Sequence, residues 1–453
     1  MSSKQILVLG AGMISPPLVR YLLGRTPHRL LVAALDTRHV EQVLEEYPRG
    51  RALQVDLSDD KVVGELMDEA DLVVSLLPAT FNPRMARLAL DRNLPFVNTS
   101  YVPQSLWEMD EEARQKGVLL LGEIGLDPGI DHMSSVRLIR KIRARGGRVD
   151  RFLSVCGGLP AAGANTNPWG YKFSWFPRAV LLAARQPARY LRAGQVVEVP
   201  GPDLFAHCWP FPVPGHGILE IYPNRDSLSY QAPYGLMEAT GLFRGTIRYP
   251  GWSATLKAVA DLGLLDLEEQ NWEAGATYRE LLLRNIPVGP GSDTSRIAEH
   301  LGLDPDGDIL SRLEWAGLLS GRPLPFRVGS PLDAFAHRLM QLMQYRSGES
   351  DLVHLEHRAL AIFPDGHSEE IQSRLIKEGE PFGDSAMSTT VSLPAAIATR
   401  LILEGYFDAT GVQIPTGPEF YRAILPELEQ FGIVLREVLI PRHEGPLDTG
   451  HLD

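Results

Sequence analysis

A short apolar strand, Ile6 to Leu9, runs directly into Gly10-Ala11-Gly12-Met13-Ile14-Ser15, and Pro16 and Pro17 then open a helix through Leu18, Val19, Tyr21 and Leu22. A glycine turn between a strand and a helix presents bare backbone N–H groups and the positive end of the helix dipole to whatever lies above it, a cradle for a pyrophosphate. Gly10 permits the tight turn and Gly12 lets the backbone approach the ligand. Ser15 replaces the usual third glycine or alanine and is small enough for helix and strand to pack closely. Proline suits a first helical turn, where its missing N–H has no intrahelical role. The next strand, Leu30 to Leu35, ends at Asp36, the expected distance for a carboxylate that receives ribose hydroxyls. A lone glycine pattern would say little; strand, helix, second strand and acid together predict a dinucleotide site.

The alternation continues. Strands are expected at Ala52 to Val55, Leu72 to Leu76, Phe96 to Asn98 and Val118 to Leu121, with helices near 39–47, 59–69, 82–92 and 104–115. That grammar means an α/β fold with a parallel, doubly wound sheet of Rossmann type. Asp56-Leu57 closes the third strand, beside an adenine pocket, and Ser75-Leu76-Leu77-Pro78 closes the fourth at the edge where ligands bind; at least one of Leu76 and Leu77 is core packing. Asp36-Thr37-Arg38 points to NAD, because a carboxylate there repels the extra phosphate of NADP, while Arg38 keeps NADP open as a cofactor.

Val118 to Met133, VLLLGEIGLDPGIDHM, is an apolar strand, a turn from Gly122 to Gly129 and an amphipathic helix from about Asp131. It lies where a cofactor held by the first half would meet a substrate held by the second. Asp127, Asp131 and His132 crowd into this crossing. Asp131 reads as a helix cap, Asp127 as a site residue, and His132 as structural before it reads as a proton shuttle. From Arg148 the regular helix between strands is lost. Strands are expected at Val149 to Cys156, Val196 to Val199, Ile218 to Tyr222 and Gly245 to Tyr249, which implies a mixed sheet. Residues 253–347 show helical periodicity and read as an insertion, since strands resume at Leu352 to Phe363 and His367 to Lys377. Helices return at Ala395 to Leu403 and Glu419 to Phe431, followed by a strand at Ile433 to Val438 and a disordered tail after Pro441. The expected organisation is a Rossmann domain over 1–130 completed by about 390–453, a mixed α/β substrate domain over 131–252 and 348–389, and a helical insertion over 253–347.

Composition narrows the partners. A length of 453 residues with 44% hydrophobic content suits two or three cores. A net charge of -12 without a long basic run argues against nucleic acid or an anionic membrane, though local arginines can still hold an anionic substrate. Cys156 and Cys208 are too few for a disulfide framework and lack metal spacing, and no HExxH-like histidine pattern occurs, so no metal is expected. No apolar run is expected to reach the roughly 18 residues of a membrane helix. MSSKQ enters a strand at once, so no signal peptide is expected. A soluble, cytoplasmic protein acting on a small molecule is the expectation, alone or as a homodimer.

Four segments pool polar groups in apolar or glycine-rich settings: Asn98-Thr99-Ser100-Tyr101, Leu126-Asp127-Pro128, Tyr171-Lys172, and Asn224-Arg225-Asp226-Ser227 with Arg244-Gly245-Thr246. The first two lie at carboxyl ends of Rossmann strands, toward the nicotinamide. Arg225 and Arg244 adjoin predicted strands and can grip carboxylates with a bidentate fork. Taken singly, each is better explained by a surface or structural ion pair, Arg225 with Asp226 for instance. Cys156 reads as a buried filler.

Taken in order and spacing, GAGMIS, SLLP, TSYVP, GLDPGIDHM, CGGLP, NPWGYKFSW, YPNRDS and RGTIRYPGW resemble the saccharopine dehydrogenase (glutamate-forming) family over nearly the whole chain. The resemblance implies a Rossmann domain, a mixed α/β substrate domain and an inserted helical domain. It implies that Ser100, Tyr101, Asp127, Arg225 and the Arg244-Gly245-Thr246 stretch contact saccharopine, a substrate with several carboxylates. It places Gly12, Met13, Ile14, Asp36, Thr37, Asp56, Leu57, Leu77, Thr99, Leu126, Pro128 and the Ser174-Trp175 region at the cofactor. Fungal members that use NADP carry Cys-Arg-Thr where this chain has Leu35-Asp36-Thr37, so the acid resembles NAD-using members. The length is not expected to hold the lysine–ketoglutarate reductase half of bifunctional forms. Hydride removal from a secondary amine calls for a proton carrier, and Asp127, Lys172 and Tyr101 all stand open for it. Two rival readings are a related imine reductase such as carboxynorspermidine dehydrogenase, and an NAD-binding sensor without turnover.

Overall fold

The computed structural model describes residues 3–440 except 176 and 184; the tail after Pro441 lies outside the described residues. Two compact units emerge, one running through Val149 with Pro233–Gly235 and Ala361–Leu439, the other comprising Asp150–Ala232 and Leu236–Leu360.

In the first unit the strands are β1 (Gln5–Leu9), β2 (Arg29–Ala34), β3 (Gly50–Gln54), β4 (Leu72–Ser75), β5 (Phe96–Asn98) and β6 (Leu119–Leu121). A seventh strand, Gly411–Gln413, arrives from far along the chain and pairs parallel to β6 through Gly411↔Leu119 and Gln413↔Leu121. The order is Gly411–Gln413, β6, β5, β4, β1, β2, β3, all parallel, so the reversal that opens a dinucleotide crevice lies between β1 and β4. The strands are near-continuous apolar runs because both faces are covered: Leu7, Leu9, Val73, Phe96 and Leu120 join one cluster with Val63, Met67, Met85 and Leu90 from the helices. The stretch expected as one helix at 104–115 is two, Gln104–Trp107 and Asp110–Lys116.

Helix Ala386–Leu403 packs on the helix Pro16–Arg25, and Pro418–Glu429 packs on Ile130–Ala144. The sequence reading placed the first of these at Ala395 to Leu403. The helix instead begins at Ser385, whose hydroxyl caps Ser388 N at 2.9 Å, and carries Pro394 internally. It also corrects the expectation that no run is long and apolar enough to cross a membrane: its 18 residues reach a mean hydropathy of 1.3. Since 72% of that window is buried within the protein, it serves here as a core helix.

The second unit is a mixed sheet. The seventh strand in chain order, β7 (Arg148–Pro160), pairs parallel to Gly241–Arg248, which pairs antiparallel to Gly217–Pro223, which in turn pairs to Trp209–Val213. Trp209–Val213 escaped the sequence reading because Pro210 and Pro212 interrupt it. It is an edge strand, with both prolines turned to solvent. The helices from Trp252 to Leu342 share one apolar core with this sheet, centred on Trp169, Tyr171, Trp252 and Phe335. Trp169 and Trp252 meet edge to face at 6.2 Å, and Tyr171 lies 4.5 Å from Trp252.

Candidate active site

The turn after β1 has the shape a dinucleotide needs. Gly10 sits at φ +102°, donates to Ala33 O at 2.8 Å, and would press a Cβ to 3.2 Å from the Leu76 carbonyl. Above Gly12 nothing lies within 4 Å of a hypothetical Cβ, which leaves the approach to its backbone open. Ser15 is buried and turns its hydroxyl to Gly12 O at 2.7 Å, fastening the turn to the helix start. Met13 is exposed at this turn and Ile14 half-buried. These residues fit a pyrophosphate, and the exposed Met13 beside Gly12 is free to lie against a cofactor ring or ribose.

At the end of β2, Asp36 is gripped by Arg38, with Nε at 2.9 and 3.0 Å from the two carboxylate oxygens and Nη2 at 2.5 Å. That fork, with the Arg38 amide, holds the Asp36 carboxyl far below the usual carboxylate range. Thr37 opens the following helix and bonds Glu41 at 2.7 Å. Asp56 folds onto Ser58 N at 2.9 Å, a contact that lowers its pKa, while Leu57 is buried and Leu77 half-buried against the core.

The carboxyl edge of β4, β5 and β6 carries a polar chain. Ser75 bonds Asn82 at 2.7 Å, and Asn98 Oδ1 accepts from Ser100 N at 3.0 Å. Beside it, the crossing from β6 to the helix Ile130–Ala144 folds back on itself. Gly125 N donates to Pro128 O at 2.8 Å, and Gly129, at φ +145°, lies so close that a Cβ would reach 2.1 Å from Gly125 O. Only glycine fits there. The same close packing sets Gly125 against Thr99, and Leu126 and Pro128 are buried within the loop. The loop thereby brings Asp127 to Tyr101, whose hydroxyl donates to Oδ1 at 2.9 Å. Asp131 caps the helix head, accepting from Gly129 N at 2.5 Å and His132 N at 2.8 Å.

Two residues that sequence reasoning missed complete this region. Glu123, buried and at φ +55°, accepts from Val102 N at 2.9 Å and from His132 Nε2 at 2.7 Å. His132 Nδ1 meets the Tyr234 hydroxyl at 2.6 Å, so the ring bridges Glu123 and Tyr234 through its two nitrogens. An acid between Gly122 and Ile124 was a readable signal; Tyr234, 102 positions from its partner, gave none.

In the second unit Arg244 is buried with its guanidinium 4.4 Å from the centre of the Tyr230 ring. Its amide donates to Ser227 Oγ at 2.9 Å, and its carbonyl accepts from Asn224 N at 2.9 Å, so the Asn224–Ser227 and Arg244–Thr246 segments lie side by side. Arg225 is exposed with a left-handed backbone, and Asp226 pairs with Arg189 at 3.3 Å. Gly245 is buried and Thr246 half-buried on the same strand. Lys172 is buried against Glu349 at 2.5 Å. Against the pull of burial, the Arg346 amide and the Lys172 ammonium keep the Glu349 carboxyl below its ordinary value. Lys172 is the donor in this pair. Trp175 is half-buried against the aromatic core.

Arg248, on the face of the strand that Arg244 occupies, was also missed. Its guanidinium lies 5.0 Å from the Tyr171 ring and 5.7 Å from Trp252, donates to Ile247 O at 2.7 Å, and has no carboxylate within 4 Å among the described residues. Glu220, its partner across the strands, spends its oxygens on Gly251 N and Ser253 N.

Residues 6–121 match the saccharopine dehydrogenase NADP binding domain and residues 125–433 the saccharopine dehydrogenase C-terminal domain. The chain is 34% identical over 446 residues to the NADP(+), L-glutamate-forming saccharopine dehydrogenase of Schizosaccharomyces pombe, covering 96% of this chain and 99% of that protein. With the mitochondrial alpha-aminoadipic semialdehyde synthase of Rattus norvegicus it shares 34% identity over 442 residues, 96% of this chain but 47% of that protein. An apo saccharopine dehydrogenase (L-Glu forming) from Saccharomyces cerevisiae superposes with a TM-score of 0.86 at 34% identity, over 97% of this chain and 100% of that one.

Proposed function

The chain belongs to the saccharopine dehydrogenase family, and from that premise we propose that it interconverts saccharopine with L-glutamate and 2-aminoadipate 6-semialdehyde in lysine metabolism. The observation that carries this reading is the Tyr101–Asp127 hydrogen bond, set at the carboxyl edge of a dinucleotide-binding sheet. Saccharopine joins the ε-nitrogen of lysine to the α-carbon of glutamate. Oxidation takes a hydride from the lysine-side carbon and a proton from nitrogen, leaving an imine. Water adds to that carbon, and the C–N bond then breaks to release glutamate and the aldehyde. The bound dinucleotide supplies the hydride acceptor.

The nitrogen must be neutral before hydride leaves, because its lone pair forms the new C=N bond. Tyr101 donates its hydroxyl hydrogen bond to Asp127 at 2.9 Å, an arrangement in which the phenol oxygen can accept from a substrate N–H while its own proton moves toward the carboxylate. A proton taken by Tyr101 can pass on to the Asp127 carboxylate, a general-base contribution of about 10²–10⁴ in rate. Lys172, tied to Glu349, fits charge placement better than base catalysis. Arg225 and Arg244 take substrate carboxylates.

For the cofactor we place NAD before NADP. Asp36 is held ionised, and Arg38, the cation that could receive a 2′-phosphate, is engaged with it. The test supplies saccharopine with NAD or NADP and follows reduced nicotinamide. Turnover with saccharopine is expected, faster with NAD. Equal or better efficiency with NADP reverses the cofactor order and assigns Arg38 to the phosphate. Cofactor binding without turnover of saccharopine favours a sensor.

A further inference from the structure

We propose that Glu123 is a positioning residue, a clamp that holds the Ser100–Val102 segment so that Tyr101 stays in register with Asp127. The proposal rests on the assignment of the proton step to that pair. Glu123 reaches the segment from both sides of Tyr101: its amide donates to Ser100 O at 3.1 Å, and its carboxylate accepts from Val102 N at 2.9 Å. The next amide, Ile124 N, donates to Asn98 O at 3.2 Å, extending the seam to the end of β5. Tyr101 is therefore bracketed by a two-point backbone grip.

The side chain points there because of its backbone. Glu123 lies at φ +55°, a conformation that L residues with long side chains seldom adopt, and residues persist in it where the surroundings over-determine them. The second carboxylate oxygen is fixed from the opposite direction by His132 Nε2 at 2.7 Å. His132 is itself pinned by Tyr234 OH at 2.6 Å and, through its amide, by Asp131 at 2.8 Å. Glu123, His132 and Asp131 are all buried, so the carboxylate cannot swing into water without abandoning its donors. The head of the helix Ile130–Ala144 thus reaches through His132 and Glu123 to the loop that carries a reacting group. One carboxylate oxygen thus serves the amide beside Tyr101 and the other serves His132, which ties that amide to the helix head.

The test compares Glu123→Ala, Glu123→Gln and Glu123→Asp in the full-length enzyme with NAD bound. Three quantities are read: kcat/KM for saccharopine, Kd for NAD, and amide exchange at Val102. Since a misplacement of about 1 Å can cost on the order of 100-fold in rate, Glu123→Ala is expected to lower kcat/KM about 10–100-fold and to speed exchange at Val102, with NAD affinity held within about twofold. Glu123→Gln keeps an acceptor for Val102 N and should recover most of the efficiency, with His132 switching tautomer. Glu123→Asp, which keeps the charge but cannot span both donors, should fall between, and it decides the matter if Glu123→Ala does not fold. Wild-type efficiency in folded Glu123→Ala or Glu123→Asp, unchanged exchange at Val102, or a loss that tracks NAD affinity overturns the clamp. Silent Tyr101→Phe and Asp127→Asn variants overturn the proton assignment instead, while exchange at Val102 still reports whether the grip exists.

Discussion

The carboxylate of Glu123 in the first unit and the guanidinium of Arg248 in the second are both buried, yet their surroundings differ in kind. Glu123 accepts hydrogen bonds from an amide and a histidine. Arg248 has two aromatic faces and one backbone carbonyl. A hydrogen-bonded buried charge loses heavily when one partner is removed, because the remaining donors are stranded away from water. A charge compensated mainly by ring quadrupoles leaves only the Ile247 carbonyl without its side-chain donor when it goes. The contrast teaches that burial alone does not say how much a charge stabilises a fold; its partners do.

The strongest way to break this comparison is Glu123→Leu, which keeps bulk and deletes the acceptor. We expect it to cost about 3–5 kcal/mol of stability, read as a fall in denaturation midpoint with the m-value unchanged. A loss under about 1 kcal/mol would mean that His132 and Val102 find other partners.

Arg244 comes next, because it sharpens what aromatic support is for. Its guanidinium faces Tyr230 as that of Arg248 faces Tyr171, but it adjoins Asn224 and Ser227 and is assigned to a substrate carboxylate. Arg244→Ala should cost about 2–5 kcal/mol of transition-state energy, at least about 30-fold in kcat/KM for saccharopine, with NAD affinity unchanged. Arg244→Lys should restore only part, since the fork is lost. Near-wild-type kinetics would make Arg244 a structural cation like Arg248.

The exposed pair Asp36–Arg38 supplies the solvent-screened extreme of the same series. Asp36→Ala should raise the NADP-to-NAD efficiency ratio by several-fold, an effect that shrinks as salt is added because exposed charges are screened. Loss of the Glu123 contact should not respond to salt.

The smallest effect expected is that of Arg248→Met. Desolvation of the guanidinium nearly offsets its two ring contacts and the cross-strand Glu220, so stability should shift by less than about 1 kcal/mol. A loss comparable to that of Glu123→Leu would erase the distinction drawn above.

Much of the first unit was legible because its order is local. Six strands and the intervening helices are each bounded by glycines, prolines or a change of period, and Gly10, Gly12 and Asp36 sit at fixed offsets from them. The Tyr101–Asp127 pair could be anticipated only as two groups at neighbouring strand ends. The role of Glu123 could not, since its partners Val102, His132 and, beyond it, Tyr234 are assembled by tertiary packing. The second unit resisted reading for a related cause. Trp209–Val213 looks like a loop until it is seen as a proline-bearing edge, and helices that look like an insertion share their core with the sheet. Pro394 shows the limit of punctuation: buried packing along Ala386–Leu403 outweighs one missing hydrogen bond.

The strand Gly411–Gln413 carries a consequence for how the protein is made. It closes a sheet whose other members end at Leu121, and its partner Leu119 leaves the ribosome nearly three hundred residues earlier. At about 5–20 residues per second of translation, β6 waits on the order of 15–60 s for its neighbour. During that interval it is an open strand edge, the kind of template on which nascent chains mispair. At three residues, Leu119–Leu121, that edge offers a poor template. A mispaired neighbour would therefore gain few hydrogen bonds from β6 while the second unit is still being synthesised.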